Sequence, residues 1–232
     1  MRLALLGDVH GNDLALAAVL GAASNEGVEA LLVTGDMVGY YFAPHRALDL
    51  LDGWKLWMVR GNHEDMLRDA VADPTRLAEY ESRYGGGLRC ALETLSQERI
   101  HYLADLPHPL EIQLEARRIL LCHGAPWNND HYIYPDAGAD LLLKCAQGGH
   151  DLVVLGHTHH AMIRRAGSTT IVNPGSVGQP RDRGRGASWA LYDSVSGEAT
   201  LRRESYPVDQ LIEQARARAP EFPYLAQVLE RE

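Results

Sequence analysis

Leu3-Ala4-Leu5-Leu6-Gly7-Asp8-Val9-His10-Gly11 decides the reading of this chain: a short apolar run closes on a Gly, an Asp and a His. The arrangement recurs. Residues 31–34 precede Gly35-Asp36, residues 56–59 precede Gly61-Asn62-His63-Glu64, residues 119–121 precede His123-Gly124, and residues 152–155 precede Gly156-His157-Thr158-His159. Apolar runs this short, bounded by Gly and polar residues, suit either a buried strand or a buried helical turn, and their repetition favours strand. Helix-like segments at residues 14–23, 43–51, 65–79, 88–98 and 138–146 lie among them. The alternation predicts an α/β fold of parallel or mixed strands whose carboxyl ends share one edge, where such sheets bind ligands.

The polar clusters then converge in space. They supply two carboxylates, an amide oxygen and four or five imidazoles, a donor set able to hold two divalent metal ions in one pocket. Strand alternation would pair Asp8 with His10 and His157 with His159 on one side, leaving Val9, Thr158 and His160 facing elsewhere. Cys122, next to His123, should likewise point into the core. Each residue alone has a plainer reading. Asn12 and Asp13 fit an N-cap of the helix at 14–23, Asn62 would also cap a helix beginning near Glu64, and Asp8 could be a turn residue. Their joint occurrence argues for a metal site. His45, His101, His108 and His150 have no partner at ligand spacing and read as structural or surface residues.

Composition agrees with an enzyme rather than a nucleic-acid scaffold. The chain has 232 residues, 46% of them hydrophobic, and a net charge of −9, which opposes nonspecific nucleic-acid binding but not a nucleotide substrate. No apolar run approaches membrane-spanning length, and residues 1–6 merge into the first polar cluster, so removing a signal peptide would destroy it. The expectation is a cytoplasmic protein with no membrane association, whose Cys90, Cys122 and Cys145 are reduced core residues. A ligand set without thiolate admits Mn, Fe, Co, Ni or Zn.

In their order, the clusters resemble the five motifs of the calcineurin-like metallophosphoesterases, over residues 1 to about 205. Residues 35–40 (GDMVGY), 123–126 (HGAP) and 173–182 (NPGSVGQPRD) are similar to the small bacterial phosphodiesterase branch. Glu64 stands where many relatives carry Asp. The resemblance implies a four-layer αββα sandwich of two mixed sheets flanked by helices; composition, with no break that marks a linker, predicts 1–232 as a single domain with 206–232 a C-terminal helical extension packed on it. The resemblance also implies that Asp8, His10 and His159 hold a first metal ion, that Asn62, His123 and His157 hold a second, and that Asp36 bridges both. Mn is the expected ion. His63 would stay unligated and protonate the leaving oxygen, while a water lowered in pKa by both ions attacks phosphorus. Two dications against two aspartates leave about +2 in the site, enough to attract a phosphate to an acidic protein. The expected activity is hydrolysis of a small phosphodiester, with a cyclic or linear nucleotide as the candidate substrate. A phosphomonoesterase or protein phosphatase is the alternative, and a non-catalytic metal-binding regulator is one of another class. Substrate, native metal and oligomeric state are not written in these motifs.

Substrate contacts are sought in two regions. One is the aromatic and amide-rich segment 126–134, with Asn128 and His131; the other is Tyr40-Tyr41-Phe42. Both could stack a base or simply pack as loops. Arg181, Arg183 and Arg185 could clamp a phosphate or form a solvated hairpin face. Residues 173–176 could touch substrate, but Pro and Gly there first signal a tight turn after a strand at 170–172. Residues 188–193 and 199–204 read as a hairpin about Ser196-Gly197, and 208–217 as an amphipathic helix covering a sheet face.

Overall fold

A computed structural model of the chain, which describes residues 1–182 and 184–231, resolves the apolar runs into strands of two sheets. Arg183 lies outside the described residues. One sheet contains β1 (Arg2–Leu6), β2 (Ala30–Val33), β3 (Leu56–Met58), β9 (Ala187–Asp193) and β10 (Glu198–Glu204) in the order β10-β9-β1-β2-β3. The other contains β4 (Leu110–Leu114), β5 (Arg117–Leu121), β6 (Leu152–Val154), β7 (Met162–Ala166) and β8 (Thr169–Asn173) in the order β4-β5-β6-β8-β7. β1, β2 and β3 are mutually parallel, as are β5, β6 and β8, whereas β4, β7, β9 and β10 join antiparallel. Both sheets are therefore mixed.

The pleat of β1 divides the core. Leu3 and Leu5 point toward the second sheet and pack with Leu32, Ile119, Leu121 and Val154. Ala4 and Leu6 point the other way, onto Leu16 and Val19 of α1 (Asp13–Asn25). On the far side, Leu120, Val153 and Ile171 meet Leu142 and Cys145 of α7 (Ala139–Cys145). The order helix, sheet, sheet, helix is the four-layer sandwich, since strands buried on both faces can be apolar at every position. Cys90, Cys122 and Cys145 are free and buried. Among the described residues no helix is long and apolar enough to cross a membrane.

Several elements differ from the sequence expectation, each for a local reason. The helix at 65–79 is two helices, α3 (Asn62–Ala72) and α4 (Pro74–Tyr84), because Pro74 lacks an N–H and Asp73 caps the second through Thr75 N–H at 3.0 Å. The helix at 88–98 likewise splits into α5 (Gly87–Thr94) and α6 (Gln97–Ala104), with the Ser96 hydroxyl capping the second. β4 and β7 add two strands to the expectation, edge strands whose polar positions interrupt the apolar run that marks the others. α8 (Val208–Arg218) is helical as expected but covers no sheet face: Leu211, Ile212 and Ala215 pack on Tyr41, Phe42 and Cys90. Asn12 caps α1, its Oδ1 accepting Ala15 N–H at 3.0 Å, and the β9–β10 hairpin forms as expected.

Candidate metal centre

All five polar clusters follow the carboxyl ends of β1, β2, β3, β5 and β6, but strand alternation is not what pairs their side chains. Asp8, His10, Asp36, His157 and His159 have φ of 53°, 52°, 54°, 68° and 59°, so the chain has left the strand and turned through the left-handed region. Each such non-glycine residue costs on the order of 1 kcal/mol and needs support from its surroundings. The support is a set of crossed backbone bonds. His10 N–H donates to Asp36 O at 2.8 Å, Gly178 N–H to Asp8 O at 3.0 Å, and the Ser176 hydroxyl to the same Asp8 oxygen at 2.7 Å.

Among the described residues three groups of ligand atoms result, the atoms of each lying within 4.8 Å of one another: Asp8, His10 and His159 first, Asp36, His123 and His157 second, and His10, Asp36 and His63 overlapping both. In the first, His10 Nε2 is 3.1 Å from His159 Nε2, and His159 Nε2 is 3.3 Å from Asp8 Oδ1. In the second, His123 Nε2 is 2.9 Å from Asn62 Oδ1. Asp36 Oδ2 lies between the groups, 3.6 Å from His10 Nε2 and 3.4 Å from His123 Nε2.

The donor chemistry fits metal ions. His10 Nδ1 faces Val38 O at 2.9 Å, His123 Nδ1 faces Thr34 O at 2.8 Å, and His159 Nδ1 faces Gln179 O at 2.7 Å. A carbonyl at Nδ1 fixes the proton there and leaves Nε2 as a bare lone pair, the arrangement of metal-ligating imidazoles. His157 Nε2 is buried with no hydrogen-bond partner. Burial above all, with Asp36 opposing, holds His157 down to about 3, so its ring is neutral. His10 is also lowered, by burial and then by the neighbouring His63. Burial pulls on His123 too, but Asp36 outweighs it and raises the ring to about 10, so its Nε2 carries a proton toward Asp36 that a cation there would have to displace.

His63 falls within ligand distance of His10 and Asp36 but is held differently from the other imidazoles. Its ring sits 4.7 Å from that of His10, and its buried Nδ1 faces no carbonyl and has no partner. Room for both rings depends on Gly39, with φ of 133°, where a Cβ would lie 2.4 Å from His63 Nδ1 and 2.7 Å from His10 Nδ1. Asn62 and His63 are the first residues of α3, so a helical turn rather than strand alternation separates them, and Asn62 is not the cap. That capping falls to Glu64, which sequence reasoning had passed over. Its Oε2 accepts Gly61 N–H at 2.9 Å and Asp36 N–H at 2.8 Å, while Oε1 accepts Met37 N–H at 2.8 Å and Val38 N–H at 3.3 Å. Burial and then the Asp36 carboxylate raise Glu64 to about 7, against the pull of these N–H groups. Asn173 is a second missed brace: its Nδ2 donates to Gly156 O at 2.8 Å and Thr158 Oγ1 at 3.0 Å. The 173–176 turn thus supports the ligand loops.

A cleft over the two groups is lined by Asp36, His63, Tyr84, Asp130, Tyr132 and Arg181, and also by Tyr40. Tyr40 and Arg181 are thereby brought to the site, the Arg181 guanidinium donating to Tyr40 OH at 2.9 Å and Gln179 Oε1 at 3.1 Å. Asn128 and His131 do not line it. Asn128 instead closes a turn with Ala125, and His131 packs edge-on against Trp127 at 5.5 Å. Asp130 and Tyr132, on either side of His131, occupy the cleft in their place. His160 points away, its Nδ1 2.7 Å from Thr158 O, and Arg185 pairs with Asp209 at 3.4 Å.

Comparison with known proteins agrees with this geometry. The fold superposes on a hypothetical protein from Pyrococcus horikoshii OT3 with a TM-score of 0.85 at 22% identity, covering 98% of this chain and 97% of that one. It superposes on a metallophosphoesterase from Sphaerobacter thermophilus with a TM-score of 0.79 at 27% identity, covering 100% and 99%. The phosphodiesterase YfcE of Escherichia coli K12 is 25% identical over 194 residues, 84% of this chain and 88% of the relative. The sequence profile of the calcineurin-like phosphoesterase superfamily domain matches residues 1–197. With the profile spanning most of the chain and His/Asp groups able to hold metal at the matching motifs, this chain belongs to the calcineurin-like phosphoesterase superfamily, a family of metal-dependent hydrolases.

Proposed function

We propose that the chain is a binuclear metal-dependent phosphodiesterase acting on a small phosphodiester of nucleotide size. The observation that carries this reading is the position of the Asp36 carboxylate, 3.6 Å from His10 Nε2 and 3.4 Å from His123 Nε2, between the two ligand groups. Asp8, His10 and His159 would hold one ion, Asn62, His123 and His157 the other, and Asp36 both. When bound, two divalent ions, Mn being the expected species, would lower the pKa of a water and neutralise charge on the phosphoryl oxygens.

The chain's own residues do the rest. His63 lines the cleft beside the first group and is held down to about 4, chiefly by burial, so its resting ring is neutral. An arriving phosphate anion would raise it, and the imidazolium would then pass its proton to the departing oxygen. Arg181, fixed by Tyr40 and Gln179, would donate to a non-bridging phosphate oxygen. The rings of Tyr40, Tyr84 and Tyr132 beside the cleft suit a planar base. The name of the Escherichia coli relative supports a diester, and three free buried cysteines support a reducing, cytoplasmic setting.

Metal-stripped protein should be inactive on a panel of diesters and monoesters and regain activity, diesters foremost, with Mn(II) at about two equivalents per chain. A single closed tetrahedral zinc with no open position would leave a structural site and remove the catalytic reading.

A further inference from the structure

Asp130 is not among the residues that the family motifs supply and stands outside the three ligand groups, yet its carboxylate approaches His157 of the second. Its Oδ1 lies 3.4 Å from His157 Nε2 without the geometry of a hydrogen bond, and that nitrogen, on a ring 95% buried, has no other partner. Both residues line the same cleft. Resting on the binuclear reading, we infer that Asp130 is a further carboxylate ligand of the second cation, carried by a loop built to hold it over His157.

The loop is fastened at both ends to the site. Asn128 and Ala125 exchange backbone bonds at 2.9 and 3.0 Å, and Asn128 Oδ1 accepts Asp130 N–H at 2.7 Å, which fixes the backbone that carries Asp130. Asn129 Nδ2 donates to Asp65 Oδ2 at 2.5 Å, tying the loop to α3 just beyond Asn62 and His63. The chain then passes directly over Gly124, next to His123, where a Cβ would meet Asn129 O at 2.6 Å and His131 O at 2.9 Å. Tyr132 finally lies on the His157 ring, centroid to centroid 4.0 Å. One segment thus contacts the neighbourhoods of all three residues assigned to the second position.

A third carboxylate changes the charge of the site. Two dications facing Asp8, Asp36 and Asp130 leave about +1 where two aspartates would leave about +2. The weaker field favours the single charge of a diester over the double charge of a monoester, and the Asp130 side chain, 68% exposed, lines the cleft.

The test is Mn(II) titration of the stripped full-length chain by calorimetry, with the electron-paramagnetic-resonance signal of the bound ion as a second readout. Asp130→Asn, at an exposed side chain, should weaken one of two equivalents about ten- to a hundredfold and leave the other unchanged. Asn129→Ala, which frees the loop but keeps the carboxylate, should weaken the same equivalent by less. Unchanged affinities for both ions in Asp130→Asn would overturn the assignment while leaving the binuclear reading in place. If the wild type takes up a single ion that Asp130→Asn weakens, the binuclear reading fails and Asp130 stands as a ligand; a single ion indifferent to the substitution overturns both.

Discussion

Glu64→Gln should loosen the metal centre without unfolding the protein. The two Glu64 oxygens accept four buried backbone N–H groups, those of Asp36 and Gly61 at one oxygen and those of Met37 and Val38 at the other. An amide keeps one acceptor and turns an N–H₂ toward the remaining pair of donors. Two buried N–H groups then lose their partner, at roughly 1–3 kcal/mol each, for a total of roughly 2–6 kcal/mol. Set against a typical stability of about 5–15 kcal/mol, the loss is serious but survivable. It falls where the β2 loop bearing Asp36 meets the start of α3 bearing Asn62, so metal affinity should drop with stability. Urea unfolding of stripped wild type and variant at about pH 8, above the raised Glu64 pKa, gives the stability difference from the shift in midpoint at constant slope. Hydrogen exchange at the Asp36 and Met37 amides should accelerate in step. A midpoint shift worth less than about 0.5 kcal/mol, with Mn(II) uptake unchanged, would refute the view that Glu64 braces the site.

His63→Ala should leave metal content unchanged and cost roughly 10²- to 10⁴-fold in rate on a diester with an alkoxide leaving group, but far less on a nitrophenyl diester; equal losses on the two substrates would assign His63 to orienting the phosphate instead. Stripped protein should lose stability as pH falls from about 6.5 toward 4, because His10, His63, His108 and His157 have folded pKa values below 6.5 and the unfolded chain binds the extra protons. Glu64, raised from 4.5 to about 7, opposes this with one proton against the several that the histidines take up, so the net effect is still a loss of stability toward acid pH. Melting temperatures that stay level between pH 7 and 5 would contradict it.

The five clusters, the strands before them and the hairpin were legible because the signal lies in chain neighbours: a buried strand writes itself as an apolar run, and a turn as Gly beside a polar residue. The layer order came with the family resemblance. The breaks within the helical stretches at 65–79 and 88–98 are also local, since Asp73-Pro74 and Ser96 carry stop and cap signals. Pairing of Asp8 with His10 was foreseen for the wrong reason, since left-handed turns and not pleat alternation bring the side chains together. What only the tertiary structure decided are the partners that fix each ligand: Val38 for His10, Thr34 for His123 and Gln179 for His159, together with Glu64 and Asn173 as braces. Asp130 reaches His157 by the same route, through a loop anchored on Asp65 and Gly124. These partners are backbone carbonyls and N–H groups far away in the chain, and because every residue carries the same backbone groups, no pattern of side chains records which of them a fold will bring to a given imidazole or carboxylate.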